Sequence, residues 1–222
     1  MLIPPSRGVV SLGDMALSIR RNPDGSTHVG IIYKEKSDYF QLHLLFHQNL
    51  SVNPPNRRDG YVKVNIEKER LRPVAALCRK LSRSKPAIPF ALSGWESVFE
   101  VKSGHLILRG NAVGLTCSSF VMAVFLSVGI SLIDFGKWPN REDDEPNQNR
   151  LVSLLEKVKA NPSHINAVRA QIGCVRIKPE EVAVSVQSPT LPADYGWTSE
   201  MAKNLLIELD CDYLLNYPFM PS

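Results

Sequence analysis

The chain has 222 residues, of which 44% are hydrophobic and 22% charged, and its formal net charge is +4. This is the composition of a globular protein with ample core, and so mild an excess of positive charge gives no ground for nucleic-acid binding when no basic run is interleaved with aromatics. Four widely spaced cysteines, Cys78, Cys117, Cys174 and Cys211, form no Cys-x-x-Cys pair, which excludes a zinc knuckle and a disulfide scaffold alike.

Met1 to Arg7 has no charged segment leading into an apolar core, so no signal peptide is expected. The protein is expected in the cytoplasm as synthesised, and work outside the cell would need a non-classical delivery route. Residues 8–20 read as a first strand region, and Asn22-Pro23-Asp24-Gly25 as a turn. Thr27 to Tyr33 is β-branched and aromatic, hence a strand. After a polar turn at 34–37, Tyr39 to Phe46 is the next strand, with Phe40, Leu42, Leu44 and Phe46 on one face.

Asn53 to Gly60 reads as a loop. Asn65 is the expected cap of a helix over about Ile66–Ser82, in which Pro73 marks a kink or a later start. The six basic residues between Arg70 and Lys85 read as that helix's wet face. A hairpin is expected around Ser103-Gly104. Leu115–Ile133 is 19 residues without a charge, about the length of a membrane span. Its serines, and Gly129 followed by β-branched Ile130, favour a buried helix and then a strand, so no transmembrane segment is expected. Gly136 to Pro146 is a charged surface loop, and Glu142, Asp143, Asp144 and Glu145 read as a solvated run and not a metal site. Helices follow at 146–160 and 162–171, with a turn or helix at 177–182, where Pro179 suits a first turn. A Pro-rich linker at 188–192 leads to a last helix from Thr198 to Leu209.

One stretch carries chemistry. In Gly114-Leu115-Thr116-Cys117-Ser118-Ser119, a capping threonine places Cys117 in the first turn of an apolar helix. Free backbone N–H groups and the positive dipole end favour a thiolate there, and they also suit the oxyanion formed when a thiolate attacks a carbonyl. Cys117 is the expected nucleophile, with Ser118 and Asn111 as candidate oxyanion neighbours. A nucleophile needs a base, and the base an orienting group. Of the five histidines, His28 opens a strand and His43 lies on the next, which suggests a Cys117–His28–His43 set. His105 reads as a hairpin turn residue, His164 as a surface helix residue, and Cys78, Cys174 and Cys211 as core.

The segments Leu12-Gly13-Asp14-Met15-Ala16-Leu17, His28-Val29-Gly30-Ile31-Ile32-Tyr33 and Leu42-His43 resemble the NlpC-type papain-like cysteine hydrolases. Here the cysteine follows the histidine by 89 residues, which is similar to the circularly permuted branch that includes lecithin-retinol acyltransferase-like proteins. The resemblance implies Cys117 as nucleophile, His28 as base and His43 as third polar residue. The insert between the two histidine strands is longer than usual, so His47 and Gln41 stay open as replacements for His43. The Asn-Cys-Glu-type signature of the acyltransferase branch is absent, and residues 140–222 have no counterpart.

The expected fold is α+β: a small, barrel-like antiparallel sheet on a central Cys-bearing helix, papain-like and permuted, with a helical C-terminal part. A catalytic domain over 1–138 and a helical extension over 139–222 are expected. The expected activity is hydrolysis of amide or peptide bonds, a peptidoglycan stem peptide among the substrates, without metal or organic cofactor. The alternatives are a thiol acyltransferase or lipid acyl hydrolase with the same triad, and an inactive interaction module.

Overall fold

The computed structural model describes residues 2–3, 13–56 and 58–216. In chain order the strands are β1 (Leu2–Ile3), β2 (Met15–Arg21), β3 (Thr27–Glu35), β4 (Asp38–Phe46), β5 (Asn49–Asn53) and β6 (Gly60–Lys63). They form one antiparallel sheet in the order β1-β6-β2-β3-β4-β5, with β1 and β5 as its edges. The architecture is α+β, as expected, but the sheet does not close into a barrel. A small hairpin of β7 (Val98–Phe99) and β8 (Leu106–Ile107) surrounds Gly104.

The helices are α1 (Lys68–Ser84), α2 (Cys117–Leu126), α3 (Asp144–Lys157), α4 (Pro162–Arg169), α5 (Pro179–Ser185) and α6 (Tyr195–Asn216). Alternation along the strands gives the sheet two characters. Leu17, Ile19, Val29, Ile31, Tyr33, Leu42 and Leu44 join one large buried cluster with residues of α1, α2 and α5. On the other parity, Ser18, Gly30, Gln41 and His43 lie together, and Gln41 donates to Ser18 Oγ at 2.9 Å and to Asp59 Oδ2 at 2.6 Å. Helix α2 is buried nearly all round, which is why it is apolar on every side.

Several expectations change. The strand region begins at Met15, after a turn at Gly13-Asp14; residues 8–12 of that reading, with Leu12, lie outside the described residues, as do residues 1 and 4–7 of the signal-peptide reading. Glu67, not Asn65, is the N-cap of α1, and Pro73 sits inside the helix without stopping it. Among the described residues no strand follows Gly129; Ile133 makes an isolated parallel bridge to Ala193. The acidic run is not wholly solvated, because Asp144 is buried and meets Arg141 at 3.4 Å and Arg176 at 3.8 Å. The last helix starts at Tyr195, and Thr198 is buried within it. Among the described residues no helix is long and apolar enough to cross a membrane.

Candidate active site

Thr116 caps α2 reciprocally. Its Oγ1 accepts the Ser119 N–H at 3.0 Å, while Ser119 Oγ accepts the Thr116 N–H at 2.8 Å. The two hydroxyls satisfy donors that a helix start leaves free, and they fix Cys117 as the first helical residue. Just upstream, the chain is stitched to a second segment: the Leu115 N–H donates to the Pro89 carbonyl at 2.8 Å and the Ala91 N–H to the Leu115 carbonyl at 3.3 Å. The approach is so close that a Cβ on Gly114 would lie 2.2 Å from the Pro89 oxygen, so only glycine fits.

Cys117 is partly buried and opens onto a pocket of about 200 Å³. The pocket lies at the end of the sheet where β3 begins and β4 ends. His28, Thr116 and Ser118 share its lining, and Phe46, Phe90, Leu92, Leu151 and Ile177 supply apolar walls. Asp24 of the β2–β3 turn and Arg150 of α3 form an ion pair across the same lining, and Arg176 contributes a cation.

His28 Nε2 lies 2.9 Å from His43 Nδ1, with the rings edge to face. Both are buried, and residue 30 is what lets them meet. A Cβ on Gly30 would come within 2.9 Å of both His43 Cβ and Ser18 Oγ, so the His-Val-Gly order leaves the space into which His43 folds. His43 Nε2 is in turn 3.3 Å from the Asn53 side-chain amide on β5. Gln41 is tied to Ser18 and Asp59, and His47 accepts the Phe90 N–H at 3.3 Å while its ring lies tilted against that of His164. Of the three candidates for third polar residue, His43 alone bonds to His28. No hydrogen bond joins the Cys117 thiol to His28. The backbone N–H of Val29, the residue next to His28, acts on the thiol to favour its ionised form.

Burial, the proximity of His43 and the Arg20 cation push His28 down to about 3; burial and Arg20 push His43 down to about 4. Arg20 stands directly across from His28 in the β2–β3 ladder. Both imidazoles are therefore neutral near pH 7, and one nitrogen of each is bare. Burial also pushes the Cys117 thiol up, against the backbone N–H groups of Val29 and Ser118, the Arg176 cation and the Ser118 hydroxyl. This corrects the expectation of an acidified cysteine: burial outweighs the backbone N–H groups and the cation that favour the thiolate. The resting site is a neutral thiol and a neutral imidazole lining one pocket.

Asn111 is exposed, and its carbonyl accepts a hydrogen bond from Gln171 at 2.8 Å; it does not line the pocket. Ser118 Oγ is buried with no hydrogen-bond partner. His105 is exposed in the hairpin, and His164 donates from Nε2 to the Phe90 carbonyl at 2.8 Å, bracing the pocket wall. Cys78 is fully buried and pushed up to about 12, Cys174 is partly buried, and Cys211 is exposed rather than core. Among the described residues no three His, Cys, Asp or Glu side chains gather as a metal site. Sequence reasoning missed Arg20, Asn53 and Arg176. Arg20 and Asn53 carry a signal only once the strands they occupy are registered against β3 and β4. No family model, curated protein or solved structure matches this chain.

Proposed function

We propose that the protein is a cysteine hydrolase of amide or peptide bonds, built like the permuted NlpC-type enzymes that its His28 and Cys117 segments resemble. The observation that carries this reading is the His28–His43 bond at 2.9 Å beside a pocket that Cys117 and His28 both line. His43 occupies Nε2 of His28, so Nδ1 is the nitrogen that meets the thiol, and it is bare when His43 accepts the His28 Nε2 proton. Apo contacts between a nucleophile and its base are often open and tighten on substrate.

In the reaction Cys117 Sγ forms a bond to the carbonyl carbon as its proton passes to His28 Nδ1. The backbone N–H groups at the start of α2 receive the oxyanion. The amine leaves with the proton from His28, and a thioester remains. Water, deprotonated by His28, then breaks the thioester and releases the acid. The apolar walls at Phe46, Phe90, Leu151 and Ile177 favour a second reading as well, in which the same residues act on an acyl ester.

The test is side-by-side assay of peptide amides and acyl esters, together with limiting iodoacetamide and mass-spectrometric mapping. Amide turnover that disappears in Cys117→Ala and His28→Ala is the expected result, and preferential ester turnover would select the second reading. Labelling of Cys117 no faster than of Cys78 and Cys174, with neither substrate turned over, would overturn both.

A further inference from the structure

A second and larger pocket, of about 580 Å³, opens at the other end of the sheet. It is far from the first, because His28 and Lys34 are six residues apart along β3, roughly 20 Å at strand rise. Its floor is apolar, formed by Met15, Val64, Leu71 and Ala75, and around it stand Lys34, Lys36, Lys63, Lys68, Arg72 and Arg79. Three parts of the chain bring these cations together: the end of β3 with its turn, the end of β6, and α1. On α1 the positions 68, 72, 75 and 79 fall at i, i+4, i+7 and i+11, a single stripe. Two of the basic residues that read from sequence as a wet helix face thus line a concavity.

The charge there is barely answered. Asp14 is the one carboxylate in the lining, and it pairs with Lys68 at 2.7 Å. Lys34 lies over the Tyr39 ring at 5.5 Å, while Lys36, Lys63, Arg72 and Arg79 form no ion pair among the described residues. Glu35 nearby is held by Arg83 at 2.7 Å, and Glu67 and Glu69 open α1 without lining the pocket. Six cations against one carboxylate leave an excess of five, more than the +4 of the entire chain. The positive excess of the molecule is therefore gathered in one hollow, where like charges within a Debye length of about 8–10 Å repel. A coat of charge that served only solubility would be spread with both signs interspersed.

We infer that this pocket binds a small ligand carrying clustered phosphates, with its organic part on the Met15–Leu71 floor. The volume is within the range of about 300–1,000 Å³ typical of small-molecule sites. Arg72 and Arg79 offer planar forks that suit phosphate oxygens, and the lysines act as point charges. The same chemistry is presented by a soluble polyphosphate ester and by a phosphorylated lipid headgroup. The site is independent of Cys117.

The test uses the full chain and inorganic tripolyphosphate, titrated calorimetrically at about 0.15 M salt. Saturable one-to-one binding tighter than about 100 µM is expected, weakened at least about tenfold in Arg72→Gln with Arg79→Gln and unchanged in Arg109→Gln. Arg109 is exposed and outside the pocket, and melting curves check that each variant folds. A vesicle arm compares phosphatidylcholine containing phosphatidylinositol 4,5-bisphosphate with the same lipid containing phosphatidylserine at equal charge. Sedimentation with the bisphosphate alone assigns a lipid headgroup, and tripolyphosphate binding without sedimentation assigns a soluble ligand. No saturable binding, an equal loss in Arg109→Gln, or equal attraction to phosphatidylserine would overturn the inference.

Discussion

At the scale of single residues, the proton inventory of the site turns on Asn53. In the structure the Asn53 amide nitrogen faces His43 Nε2 at 3.3 Å. His43 Nε2 then accepts, His43 carries its proton on Nδ1 and donates it to His28 Nε2, and the His28 proton sits on Nδ1, where it would block the proposed base. A half-turn of the amide puts oxygen there and reverses every step, leaving His28 Nδ1 bare. The 2.8 Å contact from Asn53 to the Ser51 hydroxyl tolerates both orientations, since a hydroxyl donates or accepts. Asn53→Asp offers oxygen only and adds a negative charge. It should hold His28 as the Nε2–H tautomer, raise its pKa from about 3, and speed alkylation of Cys117. Asn53→Leu should slow that reaction roughly tenfold to a hundredfold, part of the 10² to 10⁴ that general base catalysis supplies. Nitrogen-15 NMR of the imidazoles reads the tautomers directly; spectra unchanged in both variants would remove Asn53 from the relay.

At the scale of elements, the capping exchange between Thr116 and Ser119 is the device that places Cys117, the proposed nucleophile. Thr116→Ala should lower stability by about 1 kcal/mol, measurable by urea unfolding, and loosen the first turn so that Cys117 labels more readily at neutral pH. A cost under about 0.3 kcal/mol with unchanged labelling would mean that the stitch to Pro89 holds the turn unaided. Legibility in the sequence followed the same boundary between local and distant causes. The strands bearing His28 and His43 announce themselves by β-branched and aromatic runs, and the cap of α2 is written in Thr116-Cys117-Ser118-Ser119. β5 and β6 do not, because Asn49-Leu50-Ser51-Val52-Asn53 and Gly60-Tyr61-Val62-Lys63 are short and polar-flanked, and pairing with longer neighbours makes them strands. The pairing of His28 with His43 and the place of Cys117 at a helix start could be expected in advance. Desolvation of the thiol could not, because it comes from burial of α2 against β3, β4 and α5, elements that lie more than 50 positions away in the chain.

The molecule as a whole should be acid-sensitive for the reason that keeps its site neutral. His28 and His43 are depressed to about 3 and about 4, so below pH 6.5 the unfolded chain binds protons that the folded chain refuses. Their contribution is complete above about pH 6.5 and falls away as pH drops toward 3, a change on the order of a few kcal/mol. Asp59 and Glu181, whose carboxyls burial pushes up, act in the opposite sense. Thermal melts from pH 7 to pH 4 should show a falling midpoint, and His28→Gln with His43→Gln should flatten the fall. A slope no different in that double variant would place the acid sensitivity elsewhere.

Because residue 114 leaves no room for a side chain beside the Pro89 carbonyl, the wall at Phe90 and the turn at Cys117 move as one piece. Anyone transplanting the reactive turn into a foreign scaffold would have to carry two strips of backbone, 89–91 and 114–119, and a graft of the helix alone would arrive without its floor plan.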